Sequence, residues 1–329
     1  MEYENRNETE VVPAATEQMP ALIARMQEQM GKVIVGQQEM LELLLAALLA
    51  DGHVLIEGVP GVAKTLTARL MARMLAVDFS RIQFTPDLMP SDVTGTSVFN
   101  SQSASFQFRQ GPIFSNIVLI DEINRAPAKT QASLFEVMEE KQVTIDGFSY
   151  KMQSPFMVLA TQNPIEHEGT YRLPEAQLDR FIMKINVAYP SLEEEISILT
   201  MQNRQPVAEL VQEVSPIVTP EELKEARRQV RSVFVEEKII AYIAQIVFET
   251  RNDRSLYVGA SPRASIALLN VAKAVALIRG RNFVIPEDVA YAVLPVLRHR
   301  ISLTPEREME GSSADEVLKE LLKRIEVPR

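Results

Sequence analysis

The stretch IEGVPGVAKTLTARLM, residues 56–71, has almost the pattern of a phosphate-binding loop. The usual pattern is glycine, four residues, and then glycine, lysine and serine or threonine. Gly58 begins the pattern here and Lys64 and Thr65 end it, but Ala63 stands where the second glycine is expected. A working loop of this kind also needs a strand before it and a helix after it, so its surroundings decide how it is interpreted.

Both neighbours of the loop have the required character. HVLIEG, residues 53–58, is a short apolar run that predicts a buried strand, and KTLTARLMARMLA, residues 64–76, predicts a helix. Backbone N–H groups of such a loop cradle phosphates, and the helix N-terminus adds positive partial charge. The alternative is a turn of small residues without a ligand. The predicted phosphate-binding residues are Gly58, Val59, Pro60, Gly61, Val62, Ala63, Lys64 and Thr65.

The side chains of the last two loop residues indicate a nucleotide with Mg²⁺. Lys64 would reach the β- and γ-phosphates, and Thr65 would place its hydroxyl group on the metal ion. Ala63 lies where the loop turns into the helix, and a right-handed φ is expected there, which alanine tolerates well. Its N–H group is retained, so the alanine is predicted to leave the loop functional.

Outward from the loop, apolar strands alternate with helices. This alternation predicts an α/β fold, a parallel sheet covered on both faces. The further strands are predicted in FSRIQF, NIVLIDE, PFMVLATQNP and RFIMKINVAYP. Two segments interrupt the alternation and are predicted as hairpins, SVFNSQSASFQFRQGP (97–112) and QVTIDGFSYKM (142–152), the second around an Asp-Gly turn.

Three regions of the chain follow from these patterns. Residues 1–19 are polar and acidic and are predicted to form a mobile tail. Residues 20–191 are predicted to form the α/β core. After Pro190 the strand patterns stop, and residues 192–329 are predicted to form an all-helical domain, whose helices start at capping signals such as Ser191 with Glu194.

Composition excludes several kinds of protein. The formal net charge of −10 argues against a protein that coats nucleic acid, because such binding depends on Lys and Arg. The chain has no cysteine, which excludes disulfides and thiolate chemistry, and its three histidines lie far apart in sequence. The run LELLLAALLA is too short to cross a membrane, and the acidic start lacks the layout of a signal peptide. We therefore predict a cytoplasmic protein without membrane insertion.

Polar residues at the ends of later strands supply further candidate site residues. Asp121 and Glu122 close the run IVLIDE, where an aspartate would hold Mg²⁺ and a glutamate would deprotonate the attacking water. Asn163 ends the next strand and would face the ligand crevice of the sheet. The alternatives are solvated acids at a strand end and an asparagine that forms a turn before proline.

Taken in order, the segments GVPGVAKT, VLIDEINRAPAKTQASLFEVMEE, LATQNP, EGTYRLPEAQLDRF and GASPRAS resemble the MoxR-type AAA+ ATPases. The resemblance covers residues from about 20 to about 300. It implies a P-loop αβα sandwich followed by a C-terminal helical lid domain, and ATP with Mg²⁺ as cofactors. Members of this family often carry alanine before the lysine of the loop.

The resemblance also assigns roles to single residues. Gly58 to Thr65 would form the Walker A motif, Asp121 and Glu122 the Walker B motif, and Asn163 sensor 1. Arg180 would be the arginine finger, which acts in trans on the nucleotide of a neighbouring subunit. Arg263 would be sensor 2 in the lid. Two further residues, Val35 and Gly36, occupy the position where the family packs the adenine ring.

The assembly and partners implied by the resemblance are those of a chaperone-like ring. The implied oligomer is a homohexamer, and the implied client or adaptor is a protein with a von Willebrand factor A domain. Both predicted hairpins would face the pore or this partner. Arg125 is placed at the subunit interface, and Arg172 departs from the proline expected in many relatives. Two alternatives remain open, a nucleotide-binding scaffold that does not hydrolyse ATP and a nucleic-acid motor of the same clade.

Overall fold

A computed structural model describes residues 15–59, 61, 63–163, 171 and 173–328, and of residues 15–19 it describes the backbone alone. The strands are β1 His53–Gly58, β2 Phe79–Gln83, β3 Gly95–Asn100, β4 Ser105–Gln110, β5 Ile117–Asp121, β6 Gln142–Ile145, β7 Phe148–Lys151, β8 Met157–Gln162, β9 Phe181–Val187, β10 Leu256–Val258 and β11 Ser302–Leu303.

The helices alternate with the strands of the first half and dominate the second half. They are α1 Ala15–Gly31, α2 Gln38–Leu49, α3 Lys64–Met74, α4 Pro90–Thr94, α5 Ala128–Glu140, α6 Glu175–Leu178, α7 Leu192–Arg204, α8 Val207–Glu213, α9 Pro220–Ser232, α10 Glu237–Thr250, α11 Pro262–Ile278, α12 Pro286–Leu297, α13 Pro305–Met309 and α14 Ala314–Arg324. A short 3₁₀ turn, Ile123–Arg125, follows β5.

The five central strands form a parallel sheet in the order β2-β5-β8-β1-β9. Its carboxyl edge therefore carries the ends of β5, β8 and β1 next to one another. The predicted α/β fold with a parallel sheet is confirmed. The strand order brings Asp121, Asn163 and the loop after Gly58 to one edge, since each of them ends or follows a central strand.

Each face of the sheet is buried under its own apolar core. Side chains alternate along β1, so Val54 and Ile56 point to one core and Leu55 to the other. The first core includes α1, α2 and α3 and extends into α10, α11 and α12. The second core includes α5, whose Leu134 and Phe135 are buried against the sheet. The predicted burial on both faces is confirmed.

The two predicted hairpins are present. β3 pairs with β4 and β6 with β7, both antiparallel, and the second turn is Asp146-Gly147 with φ values of 51° and 81°. Positive φ at both turn residues is the geometry that matches the twist of a two-residue hairpin. The Ser97 hydroxyl group donates a hydrogen bond to the Asp146 carboxylate, so the hairpins contact each other.

The second half of the chain is mostly helical, with one difference from the prediction. Capping boxes begin α7, α9 and α14, as at Ser191 with Glu194. However, β10 and β11 form a small antiparallel pair, so the strands do not stop after Pro190 as predicted. With three and two residues, these strands are too short to produce an alternating pattern. None of the helices in the described part of the chain has the length and apolar character that crossing a bilayer requires.

The first helix begins earlier than the sequence pattern indicates. The structure starts α1 at Ala15, so the end of the predicted tail, residues 15–19, has helical backbone. The rest of that tail, residues 1–14, lies outside the described residues. Both α1 and α2 pack against α11, which ties the start of the chain to the second half. The boundary at residue 191 stays a prediction.

Candidate functional site

The loop between β1 and α3 is positioned by a close backbone approach. A Cβ atom on Gly58 would lie 2.7 Å from the carbonyl oxygen of Val187 in β9, so only glycine fits there. The Lys64 ammonium group folds back over the loop and donates a hydrogen bond of 2.5 Å to the Gly58 carbonyl oxygen. Lys64 thus lies at the mouth of the loop, where the resemblance places the phosphates.

Burial shifts the titration of this lysine. It lowers the pKa of the Lys64 ammonium group below its ordinary value, while the carboxylates of Asp121 and Glu122 act in the opposite direction. These two carboxylates are therefore close enough to interact with Lys64 electrostatically. A partly desolvated ammonium group suits an anionic ligand, and the neighbouring carboxylates suit a cation that is bound to that ligand.

The backbone at Ala63 differs from the expectation. Ala63 has φ 55° and ψ 18°, a left-handed conformation, whereas a right-handed φ was expected. That expectation is wrong because Ala63 is the residue immediately before α3, where the chain still turns, and not the first turn of the helix itself. Its carbonyl oxygen accepts hydrogen bonds from the Thr67 amide and hydroxyl groups, which fixes this conformation.

Ala63→Gly is expected to stabilise the protein by about 0.5–1 kcal/mol, because glycine removes the left-handed penalty at some entropic cost. Urea unfolding without nucleotide measures this change. Ala76→Gly is the matched control, since Ala76 has φ 52°, is exposed and lies beyond the other end of α3. A loss of stability in Ala63→Gly beside a gain in Ala76→Gly would contradict strain at Ala63.

Asp121 lies at the carboxyl end of β5 and is nearly buried. Its carboxylate accepts a hydrogen bond of 2.6 Å from the Arg81 guanidinium group and one of 3.3 Å from the Thr161 hydroxyl group. Arg81 belongs to β2 and Thr161 to β8, the two strands beside β5. Both neighbours therefore fix the direction of the carboxylate toward the edge of the sheet.

Glu122 follows β5 in a left-handed conformation, with φ 57° and ψ 53°. Its amide donates a hydrogen bond of 3.0 Å to the Thr161 hydroxyl group. Its carboxylate accepts a hydrogen bond of 2.8 Å from the Gln83 amide and pairs with Arg125 at 3.1 Å. Non-glycine residues rarely adopt this backbone, and such conformations concentrate at functional sites. Arg125, predicted at the subunit interface, is thus placed beside the acid.

Oxygen ligands at this edge suit a magnesium ion. Thr65 offers a hydroxyl group and Asp121 a carboxylate, the hard donors that Mg²⁺ prefers, and substrate phosphates and water usually complete its six ligands. Within the described ranges, no three His, Asp or Glu side chains gather into a cluster that could hold a metal ion without a ligand. The donors present therefore fit Mg²⁺ that arrives with a nucleotide.

The positions proposed for adenine lie between α1 and α2. Val35 and Gly36 line a cavity of about 550 Å³ together with residues of both helices. Gly36 has φ 69°, and a Cβ atom there would lie 2.1 Å from a carboxylate oxygen of Glu194. A side chain at this position would therefore meet both backbone strain and the start of α7.

Arg180 and Arg263 lie together but far from the loop. Both pair with Glu139 at the end of α5, Arg180 at 3.1 Å and Arg263 at 2.5 Å. Arg180 directly precedes β9, whose first residue Phe181 is in register with His53 at the start of β1. Both arginines therefore lie at the amino edge of the sheet, whereas Lys64 lies at the carboxyl edge.

The length of β1 separates the two edges. A strand of six residues spans roughly 17–20 Å, which is longer than an arginine side chain. Neither Arg180 nor Arg263 therefore lies within reach of the loop of its own chain. The structure brings the loop, Asp121, Glu122 and Asn163 together and places the two arginines elsewhere. Pro60, Val62 and Arg172 lie outside the described residues.

Sequence reasoning did not identify four residues that contact the predicted site residues. Gln83 and Arg81 are alternate residues of β2, and nothing in FSRIQF marks them as partners of the acids. Thr161 links Asp121 with Glu122 because β8 adjoins β5, which only the strand order reveals. Glu139 was part of the segment VMEE that carries the resemblance, but its position alone did not suggest that it joins two arginines.

Comparisons with known proteins agree with this geometry. Residues 53–183 match the model of the "ATPase family associated with various cellular activities (AAA)", and residues 248–321 match that of the "AAA lid domain". The chain is 44% identical over 310 residues to "Chaperone MoxR1" of Mycobacterium tuberculosis, covering 92% of this chain and 81% of that one. The chain belongs to the MoxR family of AAA+ ATPases.

Other relatives of this MoxR-family chain cover it almost completely. It is 46% identical to "Uncharacterized protein YeaC" of Bacillus subtilis strain 168, over 96% of this chain and 98% of that one. A crystal structure of a "putative ATPase" from Cytophaga hutchinsonii superposes with a TM-score of 0.89 at 41% identity, covering 96% of this chain and 97% of that one. The predicted AAA+ sandwich with a lid domain is thereby confirmed.

Proposed function

We propose that this MoxR-family protein hydrolyses ATP to ADP and phosphate in a homo-oligomeric ring, and that the ring remodels or matures partner proteins. One observation carries the ATPase proposal. The loop after Gly58 lies at the same edge of the sheet as Asp121, Glu122 and Asn163, which supports a nucleotide site there. These are the groups needed to bind a nucleotide, hold its metal ion and activate water.

The proposed reaction assigns one step to each group. Backbone N–H groups of the loop and the Lys64 ammonium group would hold the phosphates, and Asn163 would orient the attacking water. The Glu122 carboxylate would accept a proton from that water as it attacks the γ-phosphorus. In the structure one oxygen of this carboxylate, Oε2, accepts the hydrogen bond from Gln83 and pairs with Arg125. Thr65 and Asp121 would hold Mg²⁺, which would supply charge neutralisation at the phosphate oxygens.

The positions of the arginines support the proposed ring. Arg180 lies at the opposite edge from its own loop, so as the proposed arginine finger it would reach the nucleotide of a second subunit. The arginine would stabilise the negative charge that develops on the transferred phosphoryl group. A hexamer is proposed from the family resemblance.

The client is proposed to be a protein with a von Willebrand factor A domain. The name of the mycobacterial relative, "Chaperone MoxR1", supports a role on other proteins. The hairpins β3–β4 and β6–β7 carry Phe99, Phe106 and Phe148 on their surface, each more than half exposed. Exposed aromatic side chains supply contact area for another protein, so we place the client contact on these hairpins.

Replacing Lys64 tests the proposed nucleotide site. Lys64→Ala is expected to weaken ATP binding by roughly 10- to 100-fold, since it removes a charged hydrogen-bond donor to phosphate. Isothermal titration with ATP and Mg²⁺ measures the change. Lys323→Ala, at an exposed lysine of α14, is the control and is expected to bind like the parent. Equal ATP affinity in Lys64→Ala and the parent would contradict the site.

The two alternatives predict other results. A non-hydrolysing scaffold would bind ATP without releasing phosphate, and a large gain of turnover in Ala63→Gly would show that the alanine impairs the loop. A nucleic-acid motor would show ATP turnover stimulated by DNA.

A pull-down with Glu122→Gln and ATP tests the proposed client class. Recovery of von Willebrand factor A proteins only when ATP is present is the expected result.

A further inference from the structure

Glu139 connects two positive side chains that come from distant parts of the sequence. Its carboxylate pairs with Arg180 through one oxygen at 3.1 Å and with Arg263 through the other at 2.5 Å. Arg180 also donates a hydrogen bond to the carbonyl oxygen of Phe135, one turn earlier in α5. Each arginine therefore lies against the end of one helix.

The carboxylate resolves an electrostatic conflict. Two guanidinium groups in one place repel each other, and a shared carboxylate between them offsets that repulsion. Each guanidinium group carries five N–H donors in a fork, more than its contact with Glu139 uses. Arg263 keeps 55% of its side chain exposed and Arg180 keeps 29%. The pair can therefore contact a further anion.

A second contact fixes the same junction from the other side. Ser261, two residues before Arg263, donates a hydrogen bond of 2.9 Å to Asp179, the neighbour of Arg180. Asp179 in turn accepts a hydrogen bond of 2.6 Å from Arg300, which is buried. The start of α11 is thus attached to the start of β9 at two points, and the spacing between the two arginines is set.

We propose that Glu139 is a positioning residue that holds Arg180 and Arg263 as one pair, which each subunit presents to the nucleotide of its neighbour. This inference rests on the proposed ATPase function. The pair delivers two positive charges to the terminal phosphate at once. Without Glu139, the two groups separate and the geometry at the reacting phosphoryl group is lost.

Glu139→Gln tests this role, because glutamine has the same shape but no charge to offset the repulsion. Turnover at saturating ATP is expected to fall by roughly 10- to 100-fold, the cost of a misplaced catalytic group. ATP affinity of the subunit is expected to stay unchanged, since the loop lies at the other edge of the sheet. Glu225→Gln is the matched control, as it removes the negative charge from an exposed ion pair with Arg228.

Mixed assemblies distinguish positioning from a general structural role. Glu139→Gln mixed with Glu122→Gln is expected to recover part of the lost turnover, because one variant supplies the acid and the other the arginine pair. Glu139→Gln mixed with Arg180→Ala is expected to recover nothing, because both lack the pair. If the Glu139→Gln subunit were misfolded, neither mixture would recover turnover.

Glu139→Asp keeps the experiment decisive if the glutamine variant fails to fold. Aspartate retains the charge but is shorter by one methylene group, so it is expected to hold one arginine and not both, with a similar loss of turnover. Parental turnover in either folded Glu139 variant, while Arg180→Ala is inactive, overturns the inference and leaves the ATPase proposal intact. An inactive parent protein would instead contradict the ATPase proposal itself.

Discussion

Glu122→Gln is expected to lower ATP turnover by about 10²- to 10⁴-fold, the usual contribution of a general base. Glutamine has the size and shape of glutamate, so the backbone at this left-handed position is retained. Its amide accepts no proton at neutral pH, so the attacking water stays uncharged as it reaches the γ-phosphorus. Phosphate release at saturating ATP measures the loss.

ATP binding by Glu122→Gln is expected to match that of the parent. The proposed contacts to phosphate come from the loop and from Lys64, and the substitution leaves both in place. Loss of the negative charge also removes a repulsion toward the phosphates. Glu225→Gln is again the control for a glutamate in an exposed ion pair. Normal phosphate release by Glu122→Gln would refute the assignment of the base.

Arg180→Ala is expected to lower turnover by about 10³- to 10⁵-fold, the contribution measured for arginines that reach a transferred phosphoryl group. The loss arises from transition-state stabilisation, so the affinity of a single subunit for ATP should not change. The substitution also leaves Glu139 paired with Arg263 alone. Steady-state turnover and ATP titration are the two measurements.

Mixing Arg180→Ala with Glu122→Gln tests whether the arginine acts across an interface. In randomly mixed rings of equal parts, about one quarter of the head-to-tail interfaces join an intact acid with an intact arginine, so partial recovery is expected. Arg180→Ala mixed with Lys64→Ala provides a second such pairing. Absence of recovery in both mixtures, with ring assembly verified, is the result that counts against action in trans.

Short-range patterns predicted most of the fold. Four of the five central strands are mostly apolar and buried, β2 being the exception, and the Asp146-Gly147 turn defines its hairpin by two local residues. Capping residues such as Ser191 bind groups three residues away, so a sequence window contains the whole interaction. The pair β10–β11 was missed because its pairing joins segments far apart in sequence, and neither segment is long enough to show alternation.

The parts of the site that were missed or wrong depend on tertiary structure. The residue type of Ala63 favours a right-handed φ, but the turn into α3 imposes a left-handed one. Likewise, the junction at Glu139 joins side chains at positions 139, 180 and 263, and no spacing pattern relates them. Residue type predicted which groups are charged, whereas only the direction of the strands determines the edge at which each lies.

The separation of the loop and the arginines to opposite edges of one sheet gives the proposed assembly a direction. Contacts that join the amino edge of one copy to the carboxyl edge of the next are head-to-tail, and such contacts either close into a ring or continue as an open filament. An open row would always leave one loop without arginines and one arginine pair without a nucleotide. Closing the ring completes the last site without adding a subunit. In the closed ring, every loop therefore has an arginine pair and every arginine pair has a nucleotide.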